Sequence, residues 1–208
     1  MLFGTSRLQQ TYWLCVMNAE STNSAEKLLV SVGLPPDFVL ALAQESDWSL
    51  IIKLHAVFEA VIASLIVKQL KTPDVEEVVS HLDFNNVKSG KVAFARALGL
   101  IDSREVAFLS GLSELRNALV HDIKNVQFNL REHVRSLDDP QLKRFKSEFG
   151  ASVCALENGE RMYTDLLERK PAQIVLLAAY SCLLMLQFNV SAKARNALVE
   201  ILMQRTGK

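Results

Sequence analysis

The chain has 208 residues, half of them hydrophobic, with 8 glycines and 5 prolines. That length suits one domain with a sizeable core, and long apolar periodicities favour helices over sheet. Lysine plus arginine equals aspartate plus glutamate at 23 each, which argues against a broad, sequence-independent nucleic-acid surface and leaves room for a small cationic cleft and for self-association.

Residues 1–33 read as an N-terminal arm beside a helical domain over 34–208. Thr11 to Met17 suits a short helix, Ser21-Thr22-Asn23-Ser24 a break, and Gly33-Leu34-Pro35-Pro36 the end of the arm, with Pro36 in the first turn of the next helix. A long apolar helix is predicted from a cap at Ser46 or Asp47 to about Leu70, carrying Leu50, Leu54, Val57, Phe58, Val61 and Leu65 at helical spacing. Thr72-Pro73-Asp74 starts a short helix to about Ser80. His81 to Asn86 forms a turn, and Val87 to Leu98 a helix stopped by Gly99.

Asp102-Ser103-Arg104-Glu105 has capping-box spacing and opens a helix with Phe108, Leu112, Leu115 and Leu119 inward. Phe128 to Leu137 is the next predicted helix, broken by Asp138-Asp139-Pro140. Residues 141–170 read as one or two short segments with a turn at Asn158-Gly159. Pro171 begins a long apolar helix, expected to pack inside the bundle because it is slightly short for a membrane span. Ser191 is expected to cap a last helix to about Gln204. Cys15, Cys154 and Cys182 are far apart and read as reduced, buried thiols. No metal or cofactor is expected. The start has no signal-peptide pattern, so a cytoplasmic protein without a membrane role is expected.

Chemistry concentrates at Arg116-Asn117-Ala118-Leu119-Val120-His121. Arginine can fork onto a phosphate, and histidine exchanges protons near neutral pH. At 100° per residue, Arg116 and His121 point about 140° apart, so they do not share a helix face. Asn117 and His121 are an i, i+4 pair, and with Ser110 and Glu114 they make a polar stripe. Both residues meet on one phosphate only where the helix ends near His121 or a second subunit completes the site. The alternative is a helix end with a surface ion pair and a capping histidine. In the helix 47–70, His55 and Glu59 are i, i+4 partners. They pair with each other, they form a partly exposed pair, or Arg116 supplies the partner a buried carboxylate needs. Ala56, Ala60 and Ala63 beside them leave room for a close helix.

The order of these features resembles the HEPN superfamily of helical bundles, many of which carry an Arg-x(4–6)-His motif. The pattern is most similar to its mannitol operon repressor-like branch. The likeness is carried by Glu45-Ser46-Asp47 before the long helix with Glu59, by Phe84 through Ala97-Leu98-Gly99-Leu100-Ile101, and by Leu115-Arg116-Asn117 through His121-Asp122. Pro171 and the apolar helix after it add to it. The resemblance covers roughly residues 36–190. It implies an all-α, HEPN-like bundle with a long apolar second helix and extra N- and C-terminal helices.

It also implies one of two functions. In catalytic members the motif from two subunits forms a cleft that cuts RNA without metal. Arg116, Asn117 and His121 would then be catalytic, His55 and Glu59 supporting, and the role one of a toxin or defence nuclease. In non-catalytic members the bundle is a regulatory or protein-interaction module. The implied partners are a second copy of the chain, RNA, and an antitoxin or regulatory protein.

Overall fold

A computed structural model describes residues 19–206, and every regular element among them is helical. The predicted segment Thr11 to Met17, with Cys15, lies outside the described residues. Helix α1 (Ala19–Ser31) ends at Gly33, whose φ of +81° is the left-handed conformation that glycine adopts without strain. The expected break at Ser21 to Ser24 is absent, because those residues lie inside α1. Burial of its apolar face, with Ala25, Leu28 and Leu29 in the core, outweighs the modest helix propensity of Ser, Thr and Asn. Pro35 and Pro36 precede Asp37, the cap of the short α2 (Phe38–Ala41), so Pro36 stands before the helix rather than in its first turn.

Helix α3 (Asp47–Leu70) follows the prediction. Ser46 Oγ accepts from the Ser49 amide at 3.2 Å and caps its start. Leu50, Ile51, Leu54, Val57, Phe58, Val61, Ile62, Leu65 and Ile66 are buried, so much of its circumference is covered and it forms the centre of the bundle. A 3-10 turn at Pro73–Val75 leads into α4 (Glu76–His81).

Helix α5 (Lys91–Ala97) begins later than the predicted Val87. The Asn86 side-chain oxygen accepts from the Lys88 and Ser89 amides at 3.0 and 3.1 Å, holding residues 86–89 in a turn. The amides of Lys91 and Val92 return to the carbonyls of Asp83 and Phe84. Gly99, at φ +63°, ends the segment as predicted.

Helix α6 (Ser103–Val120) opens on a complete capping box between Asp102 and Glu105, and His121 is its C-cap. It packs along α3, with Phe58 and Phe108 meeting edge to face at 5.1 Å. A 3-10 segment (Ile123–Gln127) then leads to α7 (Leu130–Ser136). Asp138 and Pro140 both break α7 and start α8 (Asp139–Phe145), with a second capping box at Asp138 and Gln141.

Residues 139–169 are more helical than predicted: α8 passes through a π turn (Lys146–Gly150) into α9 (Ala151–Cys154), and α10 (Gly159–Arg169) follows. Asn158 supplies the expected turn at φ +58°. Helix α11 (Pro171–Thr206) runs unbroken for 36 residues, through the expected stop at Ser191. Asn189 donates to the Leu100 carbonyl at 3.0 Å and Lys193 to that of Leu98. The carbonyls exposed where α5 ends thus receive donors from a helix that continues past Ser191. Ile174 to Tyr180, Cys182, Leu183 and Leu186 are buried within this helix. By length and composition alone, Asp47–Leu70 and Pro171–Lys193 are each long and apolar enough to cross a membrane.

The approach of α5 to the 83–86 turn admits no side chain at Gly90, where an added Cβ would lie 2.5 Å from the Asn86 amide nitrogen and 2.6 Å from its carbonyl oxygen. Gly90→Ala is expected to lower stability by about 1–3 kcal/mol, as overpacking does, read from the urea unfolding midpoint. An unchanged midpoint would show that the turn is free to give.

Candidate functional site

Helix α6 carries the polar stripe to its C-terminal end, and the structure assigns each member a partner or leaves it without one. Ser110 Oγ donates to Asn85 Oδ1 at 3.1 Å. Glu114 is taken up by Arg144 of α8, which also meets Glu148 at 2.7 Å. Asn117 Oδ1 accepts from Arg116 at 3.1 Å. Although Asn117 and His121 are an i, i+4 pair, no hydrogen bond joins them. His121 is exposed at the helix end, and among the described residues its side chain has no hydrogen-bond or ion-pair partner.

Arg116 is half-buried and lies where its charge is felt by His55 of α3. Glu59, however, is not its partner. The Glu59 carboxylate meets Lys91 Nζ at 2.7 Å and stands 3.9 Å from His55 Nδ1. Lys91 is 2% exposed, and its ammonium also donates to the carbonyls of Ser80 at 3.1 Å and Leu82 at 2.8 Å. All three ammonium protons are therefore used. One side chain joins α3, the C-terminal end of α4 and the first residue of α5.

Sequence reasoning missed Lys91. The sequence reading starts this helix at Val87, so it does not mark Lys91 as a first helical residue; in the structure the Glu59 carboxylate and two carbonyls offset the dipole there.

His55 is buried, and its ring meets Phe84 edge to face at 4.7 Å. Burial pushes its protonation below the ordinary imidazole range. The Arg116 guanidinium and Lys91 add to that, and Glu59 opposes it. His55 is thus a neutral, packed ring beneath Arg116, while His121 is the accessible histidine of the motif. Among the described residues no helix covers the stripe of Ala56, Ala60 and Ala63, where Ala56 and Ala60 are exposed and Ala63 is half-buried. Across α6, Asn117, Ala118, Val120 and His121 are exposed as well.

Among the described residues, no group of three or more His, Cys, Asp or Glu side chains is gathered as a metal ion would need. Cys154 and Cys182 are free thiols. Cys182 is buried and held well above the ordinary thiol range by desolvation, which leaves it inert as a nucleophile. The groups available at this end of α6 are a fork of positive charge, an amide and an exposed imidazole. No protein-family model, curated protein or solved structure matches the chain.

Two predictions follow the geometry. Lys91→Met should lower stability by roughly 1–3 kcal/mol, because the Ser80 and Leu82 carbonyls and the Glu59 carboxylate lose their donor; pairing it with Glu59→Gln should recover part of the loss. A wild-type unfolding midpoint for Lys91→Met would contradict the bridging role. His55 has a folded-state pKa below its ordinary 6.5, so below pH 6.5 the unfolded chain binds the proton first. Its contribution is fully present above pH 6.5 and is lost as pH falls towards the depressed folded value. His133, lowered by burial, acts in the same direction. Stability should fall as pH drops below about 6.5, less steeply in His55→Gln than in wild type; equal slopes in urea titrations would disprove this.

Proposed function

We propose that this chain is a HEPN-type, metal-independent endoribonuclease that acts as a homodimer. The observation that carries the reading is the state of His121: an exposed imidazole without a hydrogen-bond or ion-pair partner among the described residues, one helical turn from a paired Arg116 and Asn117. The remaining stripe residues are held by partners within the chain. His121 is left available for proton transfer to or from a bound molecule.

The proposed reaction is an internal transesterification. His121 removes the proton from a ribose 2′-hydroxyl. The oxygen attacks the adjacent phosphorus, the bond from phosphorus to the 5′-oxygen breaks, and a proton returns to that oxygen. Products are a 2′,3′-cyclic phosphate and a 5′-hydroxyl. Arg116 offsets the charge that develops on the non-bridging oxygens, and Asn117 orients the guanidinium. Helix α6 ends at Val120 with His121 as its C-cap; in the proposed dimer the site is composite, with one subunit presenting the arginine and its partner the histidine. The exposed small side chains of α3 and α6 suit such an approach.

A second reading is a regulatory or protein-interaction module without catalysis. It is favoured by Arg116 being turned onto its own neighbour Asn117, which leaves the guanidinium partly engaged before any phosphate arrives.

The test is cleavage of single-stranded RNA by purified protein in the presence of EDTA. Wild type should cut and should leave cyclic-phosphate ends. His121→Ala should be slower by ~10² or more, as when general acid–base catalysis is lost. Arg116→Ala should be impaired, and Arg116→Lys should rescue incompletely, because a point charge does not replace the fork. Undiminished cleavage by folded His121→Ala would remove the histidine from the mechanism. Loss of activity with EDTA would remove the mechanism itself.

A further inference from the structure

Immediately after His121 the chain builds a shallow polar groove. Asp122 Oδ1 accepts from the Lys124 amide at 2.9 Å and turns the chain into the 3-10 segment. The Asn125 amide then reaches back to the carbonyls of Ala118 at 2.9 Å and Leu119 at 3.4 Å. It thereby caps the last turn of α6, and the groove is fixed to the turn that carries Asn117 and His121. Lys124, Gln127, Phe128, Glu132, His133 and Ser136 are among its lining residues, and its volume is about 370 Å³. That lies within the ~300–1,000 Å³ range of small-ligand sites.

The lining has three kinds of chemistry. Lys124 is exposed and makes no ion pair among the described residues. Phe128 and His133 are half-buried, with ring centroids 5.6 Å apart and planes tilted by 53°. Burial holds His133 below the ordinary imidazole range, so near neutral pH its ring offers both a donor and an acceptor. The exposed Gln127 adds an amide with both functions.

We infer that this groove is the subsite for one unpaired nucleotide of single-stranded RNA beside the scissile phosphate. Lys124 meets a phosphate, the base lies against the Phe128 and His133 rings, and Gln127 meets the base edge. This rests on the ribonuclease reading of the adjoining motif. Single-stranded RNA fits better than duplex. An aromatic surface stacks only with a base free of its own helix. With Glu132 on the same lining, Lys124 supplies charge for one phosphate rather than for a run of them. A chain with zero net charge gains its affinity from such local contacts rather than from a broad positive field.

The test uses short oligo-U, oligo-A and oligo-C as probes, binding to a His121→Ala background and cleavage in the otherwise wild-type chain. Lys124→Gln and His133→Asn are the groove variants, each checked for wild-type circular dichroism and melting. Lys124 is exposed, so that variant keeps the test valid should His133→Asn fold poorly. Each is expected to weaken binding by about five- to tenfold for at least one probe. Lys124→Gln should also reduce the salt slope of log K by about 0.7, the value of one single-strand phosphate contact. In cleavage the loss should fall on KM more than on kcat. Wild-type affinity and KM in the folded Lys124→Gln and His133→Asn proteins would overturn the groove while cleavage upheld the motif. Groove-dependent binding without cleavage by wild type would uphold the groove and overturn the nuclease reading. No binding of any probe would overturn the groove.

Discussion

An ammonium withdrawn from water must find an oxygen for each of its protons, and Lys91 finds three, on Glu59, Ser80 and Leu82. Those oxygens belong to α3 and to the end of α4, while the lysine itself starts α5. The contact fixes three helices at one level of the bundle, and the same level holds His55 and, beside it, Arg116. Because Lys91 satisfies Glu59, the arginine is not consumed in a buried ion pair. It stays at the surface edge of α6 with Asn117. A polar core contact made by a residue outside the motif thus determines how the motif is presented.

An ion pair with one buried partner contributes less to net stability than its distance suggests, since desolvation of the buried charge offsets much of the attraction. Its value here is geometric. The Glu59 carboxylate keeps a share of solvent contact, while the lysine has none to spare. His55 sits in the same pocket as an uncharged ring, packed on Phe84, so its protonation is coupled to the integrity of this corner rather than to chemistry at the surface.

The elements legible in the sequence were those that local rules determine. Ser46 and Asp102 announce α3 and α6 through cap chemistry, and Gly99 and Asn158 mark positions where φ turns positive. What was not legible depends on partners remote in sequence. Ser21 to Ser24 look like a break until α11 covers the face behind them, and Ser191 looks like a cap until Asn189 and Lys193 reach the end of α5. Val87 to Gly90 have the composition of a helix start, but Asn86 folds them into a turn. Of the candidate site, the placement of Arg116, Asn117 and His121 at a helix end could be read directly. The identity of the Glu59 partner could not, because the choice between Arg116 and Lys91 is made by the α4–α5 turn.

In the proposed dimer, Arg116 of one copy and His121 of the other act on one phosphate, each helix end completing its partner's site. Mixing two inactive proteins tests it directly. Arg116→Ala retains the histidine, and His121→Ala retains the arginine. Exchanged into mixed dimers, they rebuild one site with each group on a different subunit. The account predicts that the mixture regains RNA cleavage well above either protein alone. A mixture that forms mixed dimers yet stays as inactive as its components would contradict it.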